Sequence, residues 1–263
     1  MKFPIFIFAF VLLFLTKAHA DDYDILFDDV LAEEVTVTKP VSGNAISNLD
    51  PYSDFNRAMF DFNLAFHDSI GRPLSNAYKK IPSPARTGLE NFIDNLGEPL
   101  SMLNSFLQGD IEGGLTGFMR FAFNSTIGFF GVLDIATEMG LHSKNEDLGQ
   151  TLFVWGVWPE TNYLVLPLLG TTTTRGIFGS GVESISDPFE IYDHADFSDE
   201  QRIALFATSG FISYTKVGPL LDDLMNNRST GYEFAREGYI QLRMGQLYNG
   251  APPMPALDDF NFD

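Results

Sequence analysis

Beyond the N-terminal region no uncharged stretch reaches about 18 residues; Phe121–Leu133 gives thirteen and Thr161–Thr174 fourteen. A helix needs about 20 apolar residues to cross a bilayer, whereas runs of about 10–14 suit a buried core, a re-entrant segment or an interfacial one. The fold must therefore arrange short apolar segments without a spanning helix. Apolar material is plentiful, with 26 phenylalanines in 263 residues. The roughly 200 residues between two acidic ends are enough for one domain with a full core. Composition alone is equally compatible with a Phe-rich soluble core.

The local pattern is helical. Asp50 and Pro51 form an N-terminal signature, and Phe55, Met59, Phe62, Phe66 and Ile70 follow as one apolar stripe. Ser83-Pro84 opens a second helix carrying Leu89, Phe92, Ile93 and Leu96. Pro99 should break or kink it, after which Leu100, Leu103 and Phe106 continue the stripe to Gly109. Asp110 caps a third helix to about Ile127. Gly128 to Gly140 reads as a mobile, glycine-bounded hairpin with Phe129, Phe130, Gly131, Val132, Leu133 and Ile135 on its apolar surface and Asp134 toward water. Further helices are expected over residues 198–213, 220–226 and 229–247. Pro159, Pro167 and Pro188 should keep the intervening segment irregular, with a short strand around Trp155 and nothing assembling into a sheet. Thr171–Thr174 reads as a loop or helix cap, and Gly179-Ser180-Gly181 as a flexible turn.

The N-terminus supports export. Lys2, the apolar run Ile5 to Leu15 and Ala18-His19-Ala20 form a secretory signal over residues 1–20, with the mature chain starting at Asp21. Residues 21–49 form an acidic flexible leader, 50–250 the helical domain, and 251–263 an acidic flexible tail. The formal charge of −19 becomes −21 once Lys2 and Lys17 leave with the signal. Such a surface repels nucleic acid and gains nothing from anionic headgroups, so membrane affinity has to be apolar. The sequence contains no cysteine, which excludes disulfides and thiol chemistry.

Two polar stripes lie on otherwise apolar helices. Asn56, Asn63 and His67 share one face, and Thr116, Arg120 and Asn124 another. They suit either the walls of a polar path with Arg120 near a lipid phosphate, or an internal network pairing Arg120 with Glu90, Asp94 or Glu98. Trp155 and Trp158 suit either a membrane interface or a core. No nucleophile elbow, zinc-protease motif or P-loop is present, so no enzyme is expected. His194 among Asp193, Asp196 and Asp199 lacks the glycine and terminal glutamate of an EF-hand loop, so neither metal nor cofactor is expected.

Three ordered blocks carry a family resemblance. Asp50-Pro51-Tyr52 with Phe55-Asn56-Arg57 is followed by Glu146-Asp147-Leu148-Gly149-Gln150-Thr151-Leu152 and then Leu164-Val165-Leu166-Pro167-Leu168-Leu169-Gly170. In this order they resemble the MlaA (VacJ) family of Gram-negative outer-membrane proteins, over roughly residues 50 to 248. The resemblance implies an all-α fold, a compact ring-like bundle of amphipathic helices around a central polar channel, with disordered tails. It implies a non-enzymatic component in the inner leaflet of the outer membrane, on its periplasmic face. That component would remove phospholipids misplaced in the outer leaflet and maintain lipid asymmetry. A soluble periplasmic carrier of the MlaC type and a trimeric porin are implied as partners. Family members usually carry a cysteine for lipid attachment at the mature N-terminus, so here attachment through cysteine is not expected. Arg175 matches a family arginine, with Gly176 where an acidic residue often follows. The competing readings are a structural or adhesion-like envelope protein without lipid transfer, and a lipid-modifying hydrolase.

Overall fold

The computed structural model describes residues 50–185, 198–226 and 228–250. The secretory signal, the acidic leader, the acidic tail and the His194 loop read from the sequence lie outside the described residues. Helix α1 spans Ser53–Phe66, runs through a π-helical turn at His67–Gly71 and continues as α2, Arg72–Tyr78. Asp50 does not cap α1. Its buried carboxylate accepts hydrogen bonds from Asn56 Nδ2 (2.6 Å) and the Tyr232 hydroxyl (2.5 Å), tying the start of the domain to its last helix. The π turn brings Gly71 against Tyr214, where a Cβ would lie 1.5 Å from the hydroxyl oxygen, so only glycine fits.

Helix α3, Ser83–Leu107, is continuous through Pro99. The proline removes one backbone hydrogen bond without ending the helix, which packs extensively against the helix that follows it. Gly109 (φ +81°) closes the turn after α3, and Asp110 caps α4, Ile111–Thr126, by accepting from Gly113 N–H at 2.9 Å. Both agree with the sequence pattern. A short helix, α5 (Ile135–Glu138), follows.

The segment expected to stay irregular is ordered. Helix α6 (Leu148–Val154) is capped by Asp147, which accepts from Gln150 N–H at 2.8 Å. The strand expected around Trp155 is absent there. Two short strands form later instead, β1 (Tyr163–Leu166) and β2 (Gly170–Thr173), paired antiparallel with Tyr163 opposite Thr173. Pro167 sits in their turn, where no ladder N–H is needed, and Leu168 and Gly170 take the left-handed conformations that reverse the chain. Helix α7, Thr174–Ile185, starts with Thr173 Oγ1 accepting from Gly176 N–H at 3.0 Å, so the threonine run supplies a strand and a cap. Gly179-Ser180-Gly181 is helical rather than a flexible turn. Its glycine lets α7 reach α6, because a Cβ on Gly179 would lie 2.7 Å from Gly149 N. Helices expected as two pieces form one, α8 (Asp199–Asn226), continuous through Pro219, and α9 spans Arg228–Leu247.

The distribution of polarity is inverted. The apolar core is a small cluster of Phe60, Leu64, Tyr163, Val165, Leu224 and Tyr232, where α1, the hairpin, α8 and α9 meet. Among the described residues, nineteen buried side chains are polar or charged and ten are apolar, so side-chain hydrogen bonds fill much of the interior. Much of the α1 stripe faces outward: Phe55, Phe62 and Ile70 are exposed, whereas Met59 packs against the core, and Asn56, Phe60, Leu64 and His67 face in. Ile111, Leu115 and Phe118 on α4 and Leu103, Phe106 and Leu107 on α3 are exposed as well. Among the described residues no helix is long and apolar enough to cross a membrane.

Candidate functional site

Asn56 and Asn63 form a polar rail on the inner face of α1, and β1 runs along it. Asn56 Nδ2 donates to the Tyr163 carbonyl (3.2 Å) and Oδ1 accepts from Val165 N–H (2.8 Å). One helical repeat later, Asn63 Nδ2 donates to the Leu166 carbonyl (2.8 Å) and Oδ1 accepts from Leu168 N–H (2.6 Å). Asn56 thus satisfies the edge of β1 that faces away from β2, and Asn63 holds the turn that follows β1. Asn56→Ala should lower stability by about 3 kcal/mol, since it leaves a buried N–H, a carbonyl and Asp50 short of partners. Denaturant unfolding in detergent measures this, and Asn63→Ala, at a less buried site, should cost less.

His67, the third member of this face, lies in the π turn and is fully enclosed. Nε2 donates to Asp222 at 3.1 Å, which leaves Nδ1 to accept from the Tyr214 hydroxyl at 2.5 Å. Burial pushes the Tyr214 hydroxyl up to about 12, so it stays protonated and is no nucleophile. Burial alone would raise the Asp222 carboxyl, but hydrogen bonds from His67 and Arg72 outweigh it and hold it below its ordinary range.

The second stripe divides. Thr116 lines an open cavity of about 460 Å³ with Ile111, Glu112, Leu115, Met119 and Leu141. Arg120 is buried, and every nitrogen of its guanidinium is bonded within the fold. Nε donates to Glu98 (2.5 Å), Nη1 to Thr137 Oγ1 (3.0 Å) and the Leu141 carbonyl (2.5 Å), and Nη2 to Asp134 (3.4 Å). Arg120 is therefore not open to a phosphate. Of the three carboxylates weighed as partners, Glu98 takes it, while Glu90 accepts from Tyr78 and Asp94 pairs with Lys216. Burial raises the Glu98 carboxyl, opposed by Arg120 and Ser143. Asn124 completes the network by donating to Asp134 (2.9 Å) and accepting from Ala136 N–H (2.9 Å).

Asp134 consequently points inward rather than toward water. It caps α5 through Thr137 N–H, and bonds from Thr137 and Asn124 outweigh its burial and hold its carboxyl low. The glycine-bounded segment is pinned at both ends. Gly131 N–H donates to the Asn124 carbonyl (2.7 Å), Leu133 N–H to that of Gly128 (2.9 Å), and Asn91 reaches the Val132 carbonyl (3.1 Å). Between the pins Phe129 (φ +53°) and Phe130 (φ +61°) are held left-handed, an unfavourable conformation for aromatic residues, and are 71% and 77% exposed. Gly140 (φ +81°) closes the segment after α5. Trp155 is half exposed with its indole N–H on the Leu107 carbonyl (2.8 Å), whereas Trp158 is partly covered by Phe178.

Sequence reasoning missed a polar cluster around the second block. Arg243 on α9 holds Asp147 with two bonds (2.7 and 2.8 Å) and also reaches Gln150 (3.0 Å). Asn104 donates to Glu183 (2.8 Å) and accepts from Thr151 (2.9 Å), and Glu146 is bonded to Gln108 (2.9 Å) and Gln150. Burial raises the Glu146 carboxyl. Beside this cluster Arg175 is fully buried, bonded through Nη1 to the carbonyls of Trp158 (2.7 Å) and Pro159 (3.3 Å). Its pKa is lowered by burial and by the neighbouring Arg243. The signal available in the sequence was the density of polar side chains in residues 146–151, with Lys144 alone as a basic neighbour.

These blocks and their geometry agree with what is known of other chains. The family model described as MlaA lipoprotein matches residues 48–246. The intermembrane phospholipid transport system lipoprotein MlaA of Escherichia coli is 40% identical over 218 residues, covering 78% of this chain and 81% of the relative. An uncharacterised protein of Rickettsia typhi is 33% identical over 196 residues, covering 74% and 76%. A chain from a solved structure concerned with the structural basis for maintenance of bacterial outer membrane lipid asymmetry superposes with a TM-score of 0.63 at 30% identity, covering 77% of this chain and 99% of that one. With the match spanning almost the entire described domain, this chain belongs to the MlaA lipoprotein family.

Proposed function

We infer that this chain moves phospholipids between membranes and so maintains outer-membrane lipid asymmetry, as an outer-membrane component rather than an enzyme. The observation that carries this reading is the inverted polarity. A chain with Phe55, Phe62, Phe106, Phe118, Phe129 and Phe130 exposed around a hydrogen-bonded interior is matched to an apolar medium outside it. At roughly 25 cal/mol per Å², such a belt holds a protein in one leaflet without a span. In finer detail, the protein sits on the periplasmic face in the inner leaflet. Phospholipids misplaced in the outer leaflet enter a polar channel and pass to an MlaC-type carrier, with a trimeric porin as partner. Thr116 at the cavity is the lipid-path residue that this reading retains, because the amides of Asn56 and Asn63, like the guanidinium of Arg120, are spent within the fold. The pinned hairpin with Phe129 and Phe130 serves as its gate, and Trp155 marks the interface.

Native mass spectrometry of detergent-extracted protein should report bound phospholipid and co-purifying porin. A chain that extracts without lipid and passes none to a carrier would instead be a structural envelope component. For the belt itself, Phe118→Glu with Leu115→Glu should shift the protein from the membrane to the soluble fraction, since each removes an apolar contact and adds a charge. Undiminished membrane recovery of the double variant would overturn the belt.

A further inference from the structure

Arg175 stands apart from the other buried arginines. It is 0% exposed, yet its Nε and Nη2 have no hydrogen-bond partner among the described residues. These two nitrogens form the side-on edge of a guanidinium, the edge whose parallel N–H groups match two oxygens on one atom. In Arg120 that edge is filled by Glu98 and Asp134. In Arg243 the two Nη groups hold Asp147. Asp147 is thus already engaged, and the Phe153 ring, 5.1 Å from Arg175 Cζ, offers a face but no counter-charge. A buried guanidinium edge without acceptors is costly, so this edge calls for an oxygen-bearing group from outside the described residues.

The surroundings favour such a group. Arg175 is the second residue of the twelve-residue helix α7, whose N-terminus adds positive potential. Nη1 is held by the Trp158 and Pro159 carbonyls, which fixes the direction of the open edge. Those carbonyls adjoin an exposed bend containing Val157 and Gly156, the latter at φ +67°. We propose that the open edge of Arg175 is an oxyanion seat that takes the phosphodiester of a phospholipid in transit. This rests on the transport reading above and assigns it a phosphate contact that Arg120 does not supply. Free phosphate presents the same two-oxygen chemistry and has to be separated by experiment.

The test uses the full chain in a non-ionic detergent at fixed ionic strength, titrated with short-chain phosphatidylglycerol, with diacylglycerol of the same chain length, and with inorganic phosphate. Thermal unfolding should show phosphatidylglycerol binding weakened about tenfold in Arg175→Lys, which keeps the charge but loses the paired edge. Diacylglycerol should bind both proteins alike. Equal phosphatidylglycerol affinity in the two proteins overturns the seat, and a response to inorganic phosphate alone overturns its part in lipid handling. Independently of how Arg175→Lys folds, Trp155→Phe leaves Trp158 as the single tryptophan, beside the seat. Its emission should change with phosphatidylglycerol and not with diacylglycerol, and an equal change with both overturns the proposal. Failure of the wild-type chain to capture any phospholipid would instead overturn the transport reading itself.

Discussion

Arg120→Leu should destabilise the domain by about 3–5 kcal/mol, because it strands the buried Glu98 carboxylate and removes a bond from Asp134. Out of a total stability of about 5–15 kcal/mol this is a large share, so loss of lipid transfer in this variant would report unfolding and not a lost phosphate contact. The pH dependence identifies the cause. Burial holds the Glu98 carboxyl above its unfolded value, so its ionisation opposes folding increasingly as pH rises through the interval between the two. Without Arg120 that interval widens upward. Asp134 is held low by partners that include Arg120, so its contribution is present above the unfolded value and lost as pH falls. Protonation of Glu98 therefore narrows the gap between wild type and variant as pH falls toward about 4, and that of Asp134 narrows it further only below its ordinary range. Denaturant unfolding at several pH values measures the gap, and a constant gap would refute this account. Replacing Glu98 as well, by leucine, should recover most of the loss.

Asp147→Ala should be at least as severe, again about 3–5 kcal/mol, and the protein should fail to accumulate in the membrane fraction. One carboxylate does three jobs: it holds Arg243 with two bonds, caps α6 through Gln150 N–H, and lies near Arg175. Its removal leaves two buried guanidinium groups side by side, and the lost cap adds about 1 kcal/mol. Asp147→Asn keeps much of the cap without the charge and should fall between. An alanine variant that accumulates with wild-type thermal stability would show that Arg243 is neutralised elsewhere.

Local signals in the sequence were read well. Asp110 and Gly109 mark their helix ends because caps depend on side chains within three residues. The α1 stripe was also visible, but its direction was not, since periodicity registers a contrast between faces without naming which medium lies against each. Prolines misled for a related reason. Pro99 costs a single hydrogen bond that packing over 25 residues absorbs, while Pro167 helps to turn a hairpin in a segment that it was expected to keep irregular. The site was least legible where partners are distant in sequence. Glu98, 22 positions from Arg120, was among the three carboxylates read as its partner, whereas Asp147 meets Arg243 across 96 positions and that pair was not read.

The outward phenylalanines of α1 and α4 bear on how this protein reaches its destination. In water, collapse would draw Phe55, Phe62 and Phe118 together and leave Asn56, Asn104 and Gln150 without the bonds they make in the finished fold. The native arrangement is thus favoured only where the outer face is already shielded. A newly exported chain crossing an aqueous compartment would need an escort over its aromatic faces, released only on arrival at lipid. Its biogenesis is then limited by delivery, and overproduction without more escort would yield aggregates rather than more working protein.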